Sequence, residues 1–94
     1  MVNVTHTSKL RLRLYVSGNA PNSLRAVANA KAICGAHFAV HDLEIVDMGD
    51  DPRRALADGI IVSPTLLKLR PLPAVRVIGD LSDTKRVLLA LGAG

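Results

Sequence analysis

Residues 10–23 read Leu10-Arg11-Leu12-Arg13-Leu14-Tyr15-Val16-Ser17-Gly18-Asn19-Ala20-Pro21-Asn22-Ser23. Leu10, Leu12, Leu14 and Val16 alternate with Arg11, Arg13 and Tyr15. That period of two predicts a strand with one apolar face. Gly18, Asn19, Pro21 and Asn22 break the pattern. Asn22 or Ser23 then caps a helix by accepting bonds from its first free amides. Leu24, Val27, Ala30, Cys34 and Phe38 follow at spacings of three or four, with Ala26, Ala28 and Ala32 as good helix formers. Gly35 loosens the last turn. Val40 to Val46 reads as a second strand, with Leu43 and Ile45 on one face. Strand, helix and strand in this order make a right-handed βαβ unit with parallel strands.

Past this unit, Asp50 and Asp51 precede Pro52, and acids and a proline both suit a helix start. A short helix is expected over Pro52 to Asp58, with Ala55 and Leu56 inward and Gly59 ending it. Ile60, Ile61 and Val62 lead to Ser63-Pro64-Thr65, and Thr65 to Leu69 reads as a strand. Pro71-Leu72-Pro73 forbids a regular ladder, since neither proline donates a backbone bond. Val75 to Ile78 is another strand. Gly79-Asp80 turns the chain, and Ser82 caps a last helix over Asp83 to Leu91 with Val87, Leu88 and Leu91 inward.

The predicted order is βαβαββα, an α/β chain of one domain over residues 1–94 with an ordered core of about 10–91. Pro64, at a strand start, stands where thioredoxin-like folds carry a cis proline beside their active site. In a thioredoxin the strand-to-helix turn holds a Cys-x-x-Cys pair, and here it holds none. Disulfide exchange needs a thiolate nucleophile and a resolving thiol. The chain therefore reads as a redox fold without its chemistry, which points to binding.

Ninety-four residues support one modest core, and with Tyr15 and Phe38 as the only aromatics it is aliphatic. No apolar run approaches the roughly 18 residues that span a bilayer. Met1 to Ser8 is polar and lacks the apolar core of a signal peptide. A single cysteine excludes an internal disulfide framework, and the expected compartment is the cytosol. The net charge of +4 is segregated: residues 1–40 carry five basic residues and no acid, and residues 41–60 carry six acids against Arg53 and Arg54. Such segregation suits docking onto a charged protein surface. Stacking aromatics and a dense Lys/Arg helix are missing, which argues against nucleic acid.

Catalytic and cofactor chemistry find little support. Cys34 holds a helical apolar position and reads as a packed core thiol. His6, His37 and His41 lack metal-ligand partners at useful spacing. Asp42 and Glu44 share one strand face, most simply a wet edge, and Gly18 stands alone in its turn rather than in a phosphate loop. No enzyme activity and no cofactor are expected.

Leu14 to Ser23, Ser63-Pro64-Thr65-Leu66, the pair Pro71 and Pro73, and Ile78-Gly79-Asp80-Leu81-Ser82 together resemble the KaiB family of circadian clock proteins, over about Leu10 to Leu91. The N-terminal sensory domain of the clock-output kinase SasA is a related module, but no kinase is attached here. The resemblance implies a non-catalytic protein that binds the ring ATPase KaiC. It also implies metamorphism between a tetrameric βαββααβ ground state and a thioredoxin-like monomer, which needs two packings within a few kcal/mol. The C-terminal half is then rebuilt, with Pro64, Pro71 and Pro73 changing isomer. Thr65 and Arg76 match positions implicated in KaiC binding. Arg25 joins them as a cation in a first helical turn, where the dipole disfavours it.

Three departures from the family pattern matter. The tail after Leu91 is only Gly92-Ala93-Gly94, and Ala90 and Gly92 replace an expected Gly-x-Asp pair, which favours the final helix and the thioredoxin-like order. Glu44 stands where cyanobacterial relatives carry a Lys on the strand that faces KaiA. With Asp42 it forms an acidic edge that is expected to repel a KaiA-type partner. The competing functions are a thioredoxin-like adaptor for another signalling protein, such as a histidine kinase, and a redox protein using Cys34 alone. A monomer is expected in the thioredoxin-like form, with a dimer or tetramer as the alternative state.

Overall fold

A computed structural model describes residues 9–92; His6 and the Ala93-Gly94 end of the tail lie outside them. The elements are β1 (Leu10–Val16), α1 (Pro21–His37), β2 (His41–Asp47), α2 (Pro52–Ala57), β3 (Thr65–Arg70), β4 (Val75–Ile78) and α3 (Thr84–Ala90). This is the predicted βαβαββα order, not the ground-state alternative. The sheet runs β2-β1-β3-β4. β2 is parallel to β1, as a βαβ crossover requires, and β3 and β4 are antiparallel to their neighbours. Among the described residues no helix is long and apolar enough to cross a membrane.

The sheet is covered on both faces. On one, Leu10, Leu12, Leu14 and Val16 of β1 meet Leu66 and Val77 beneath α1 and α3. On the other, Tyr15, Val46 and Leu67 pack against Ala55 of α2 and against Ile60. β1 lies between two strands and under helices on both sides, so Leu14 and Tyr15 are fully buried although they point opposite ways.

Several local expectations shift. α1 has no side-chain cap: Pro21 opens it, and Ala20, in the cap position, accepts the Leu24 amide at 3.0 Å. Ser23 instead turns inward and accepts the Ser17 amide at 2.9 Å. The inward stripe thereby begins at Ser23 rather than at Leu24. It buries Ser23, Ala26, Ala30, Ile33 and Cys34, and leaves Leu24 53% exposed. Ala26 and Ala30 are buried against the sheet, positions that a count of large apolar residues misses.

In α2, Ala55 is inward but Leu56 is 80% exposed. Six residues make under two turns, too little for a second buried position on this side. Asp51 caps this helix and Gly59 leaves it at φ +67. In α3 the cap is Asp83, which accepts the Arg86 amide at 3.1 Å; Ser82 donates its own amide to Asp80 Oδ1 at 3.0 Å. On β2, Leu43 is half-buried and Ile45 is exposed, and it is Val46, on the face of the acids, that is buried.

Candidate partner-binding surface

At one end of the sheet β1 finishes, β3 begins and β4 finishes, so three connections converge. Ser17–Ala20 leads into α1, Ile61–Pro64 leads into β3, and Gly79–Leu81 follows β4. Ser17 Oγ and Ser63 Oγ share a hydrogen bond, and the Gly79 amide donates to the Pro64 carbonyl at 3.0 Å. Asp47, at the end of β2, accepts the Gly18 amide at 3.1 Å and the Gly49 amide at 2.8 Å. One carboxylate therefore ties the turn after β1 to the turn after β2. The Ser63–Pro64, Arg70–Pro71 and Leu72–Pro73 peptide bonds are cis. Leu81 holds a left-handed φ of 64° while its side chain is buried. That conformation costs a branched residue about 1 kcal/mol, and the burial of the leucine in the α1/α3 core offsets it.

The residues singled out from sequence occupy this end in different ways. Thr65 is buried, and its hydroxyl donates to the Val62 carbonyl at 2.7 Å, pinning the loop from below. Arg76 is exposed on β4. With Gly59 to Val62, Thr65 and Ile78 it lines a shallow groove. Arg25 joins through Asp80, whose Oδ2 lies 3.4 Å from Arg25 Nε, and it also bonds Asn22. Asp80 is held below the usual carboxylate range, chiefly by hydrogen bonds from Ser82 and then by Arg25. Thr65 and Arg76 thus share one groove, and Arg25 belongs to the neighbouring turn. Pro64 lies in the converging loops, whereas Pro71 and Pro73 sit in the β3–β4 connection at the sheet's other end.

Sequence reasoning missed the apolar part of the groove. Ile61 is 90% exposed, and Val62 and Ile78 stand out beside it. The available signal was the run Ile60-Ile61-Val62 between Gly59 and Ser63-Pro64, which is longer than one buried contact of a loop requires. Single exposed apolar residues are ordinary; these three line one groove and form an apolar patch.

A second missed feature is the polar cluster beneath α2. Tyr15 Oη is 2.5 Å from Asp58 Oδ2 and 3.0 Å from the Arg54 carbonyl. Arg13 reaches Asp58 at 2.9 Å and Glu44 at 3.0 Å, and Arg54 grips Glu44 with contacts of 2.6 and 2.7 Å. Arg54 and then Arg13 lower Glu44 to about 2. Burial, and then the bond to Asp58, raises Tyr15 to about 12. Asp42 lies 3.1 Å from Lys9 and 3.8 Å from Arg11. β2 is an edge strand, but its acids do not form the open like-charged pair expected from the sequence. Parallel register sets Arg11 opposite Asp42 and Arg13 opposite Glu44, which neutralises both.

The turn after β1 lacks the cysteine pair of a thioredoxin. The turn after β1 holds Ser17, Gly18, Asn19 and Ala20. Cys34 lies inside α1, buried, and burial pushes its thiol up, away from the nucleophilic form.

A family model described as the KaiB domain matches residues 13–93. The chain belongs to the KaiB family. The circadian clock oscillator protein KaiB of Synechococcus elongatus is 47% identical over 81 residues, which are 85% of this chain and 79% of that protein. Among solved structures, the N-terminal domain of Synechococcus elongatus SasA matches with a TM-score of 0.75 at 23% identity, covering 100% of this chain and 93% of its own. Chloroplastic thioredoxin z matches with a TM-score of 0.71 at 15% identity, covering 92% and 80%. Those two likenesses establish the thioredoxin-like fold. The KaiB match covers β1 from Arg13 onward and all three converging connections. The KaiB relative is named as a circadian clock oscillator protein.

Proposed function

We propose that this chain is a non-catalytic regulator that binds a KaiC-type ring ATPase in a circadian or clock-like timing system, through the surface around Arg25, Thr65 and Arg76. The observation that carries the reading is the KaiB-domain match over residues 13–93, spanning both the groove and the turn without cysteine. The exposed Ile61, Val62 and Ile78 supply an apolar centre, and Arg25 and Arg76 supply cations at its margins. Aromatic or aliphatic anchors with a polar rim are how protein partners are held.

The proposal extends to a single functional domain over residues 1–94, a cytosolic setting, a monomer in the thioredoxin-like form, and no nucleic acid, membrane or cofactor. The family's metamorphism, with Pro64, Pro71 and Pro73 in the rebuilt half, is carried as part of it. An ATPase-only system without a KaiA-type partner is also proposed.

The test is a pull-down from the native cell with and without ATP. A hexameric ATPase captured with the chain supports the reading; a histidine kinase captured in its place replaces it with the adaptor function. In an insulin-reduction assay the chain is expected to be inert, and activity lost on Cys34→Ser would overturn the non-catalytic assignment.

A further inference from the structure

Arg76 stands at the rim of the groove, but its guanidinium is already engaged inside the molecule. Nη1 donates to the Gly59 carbonyl at 3.1 Å, and Nη2 donates to the Asp58 carbonyl. Both carbonyls lie just past α2, in the turn that leaves the helix, whose C-terminal end carries partial negative charge. The backbone makes room for this approach. Gly59 has φ +67, and a Cβ there would lie 3.4 Å from Arg76 Nη2.

Asp58 is held from the opposite side as well. Its carboxylate takes Tyr15 Oη and Arg13 Nη1, so β1 and β4 grip one residue by its side chain and its carbonyl. Farther along, Thr65 Oγ1 holds the Val62 carbonyl. The segment 58–62 is therefore fastened at its start by Arg76 and at its end by Thr65. Ile61, between the fastenings, and Val62, at the second of them, have exposed side chains. An exposed apolar pair on a loop keeps one position only when the backbone beneath it is held, and freezing it in advance removes an ordering cost from association.

We infer that Arg76 is a positioning residue of the groove: its fork holds the Asp58 and Gly59 carbonyls, and its effect on partner binding passes through Ile61 and Val62. The identity of the partner rests on the function proposed above; the clamp does not. A charge presented directly to the partner is the competing role, and the two roles separate by chemistry. Lysine keeps the charge but cannot span two carbonyls with a planar fork.

The experiment has two arms. In the first, amide exchange is followed on the free protein for the original chain, Arg76→Ala and Arg76→Lys. Exchange at Gly59 and Ile60, whose amides bond the Leu56 and Ala55 carbonyls, is expected to quicken about tenfold in both variants while β1 amides keep their protection, as local opening requires. Unchanged exchange over those residues overturns the clamp.

In the second arm, the same proteins are titrated on the purified KaiC-type ATPase of the same cell, in the original background and in one carrying Ile61→Ala and Val62→Ala. Both Arg76 variants are expected to bind about tenfold more weakly in the first background, and Arg76→Ala to add less than about twofold in the second, because side chains acting as one unit are not additive. Restored affinity in Arg76→Lys, or equal losses in both backgrounds, overturns the inference in favour of direct contact. If the original chain does not bind the ATPase, the proposed function fails and the exchange arm alone decides the clamp.

Discussion

The two faces of the sheet are held by different physics. Beneath α1 and α3, aliphatic side chains from every strand except β2's exposed positions fill a continuous apolar layer, with Leu14 at its centre. Beneath α2, a small apolar cluster is supplemented by a polar knot in which Tyr15, Arg13, Arg54, Glu44 and Asp58 meet. The first face is non-directional and tolerant of small shifts. The second is directional, and it lies under the segment that carries the exposed Ile61 and Val62. Apolar burial dominates the first face; on the second, the polar knot ties down Asp58, the residue at which the groove's loop begins.

Breaking the apolar face has the largest expected effect. Leu14→Ala removes a fully buried side chain, and urea unfolding is expected to show a loss of about 2–5 kcal/mol. A loss under about 1 kcal/mol contradicts the assignment of Leu14 to the centre of the core.

The knot breaks at smaller cost. Tyr15→Phe keeps the buried ring but leaves Asp58 without its hydroxyl donor, and a loss of about 1–2 kcal/mol is expected in the same assay. A neutral Tyr15→Phe places the stability of this face in its apolar cluster alone.

The knot also has a pH signature that the apolar face lacks. Glu44 is lowered to about 2 in the folded chain, chiefly by Arg54 and then Arg13, and Asp58 is lowered chiefly by Tyr15. For a depressed carboxylate the stabilisation is present above the unfolded pKa, about 4.3 for Glu, and is lost as pH falls through the folded one. Stability is expected to fall from about pH 4.5 down to about 2, and Glu44→Gln to flatten that fall. Glu44 is half exposed, so water and salt screen the effect. Tyr15 has the opposite sign: raised to about 12, it contributes stability below about pH 10 that is lost as pH rises toward 12. An acid limb unchanged in Glu44→Gln detaches Glu44 from the knot.

Leu56→Ala sharpens the comparison from the other side. Leu56 lies on α2 but faces solvent, and its removal is expected to change stability by less than about 0.5 kcal/mol. A larger loss returns Leu56 to the inward position that the sequence suggested.

The apolar face was the legible one. Alternation in Leu10 to Val16 and the breaks at Gly18-Asn19, Gly59 and Gly79 yield the element order directly, because each signal is local. The finer errors share a cause. Leu24 and Leu56 are large apolar residues on helices, and pattern reading sends them inward; the burial of Ala26 and Ala30 and the shortness of α2 decide otherwise. The acidic edge was misjudged because its neutralising cations come from elsewhere in the chain: the parallel register sets Arg11 and Arg13 of β1 beside Asp42 and Glu44, and α2 supplies Arg54. Thr65 and Arg76 came from family resemblance. That Arg76 holds the loop by its carbonyls depends on contacts between residues 17 and 18 positions apart, which no local pattern encodes.

The most direct test of the central claim is a titration of the purified chain against the purified KaiC-type ATPase of the same cell, with ATP present, followed by size-exclusion chromatography with light scattering. The account predicts a complex of chain and ring that weakens in a variant carrying Ile61→Ala and Val62→Ala. A ring that elutes at its own mass at every ratio, or a complex indifferent to those substitutions, contradicts it.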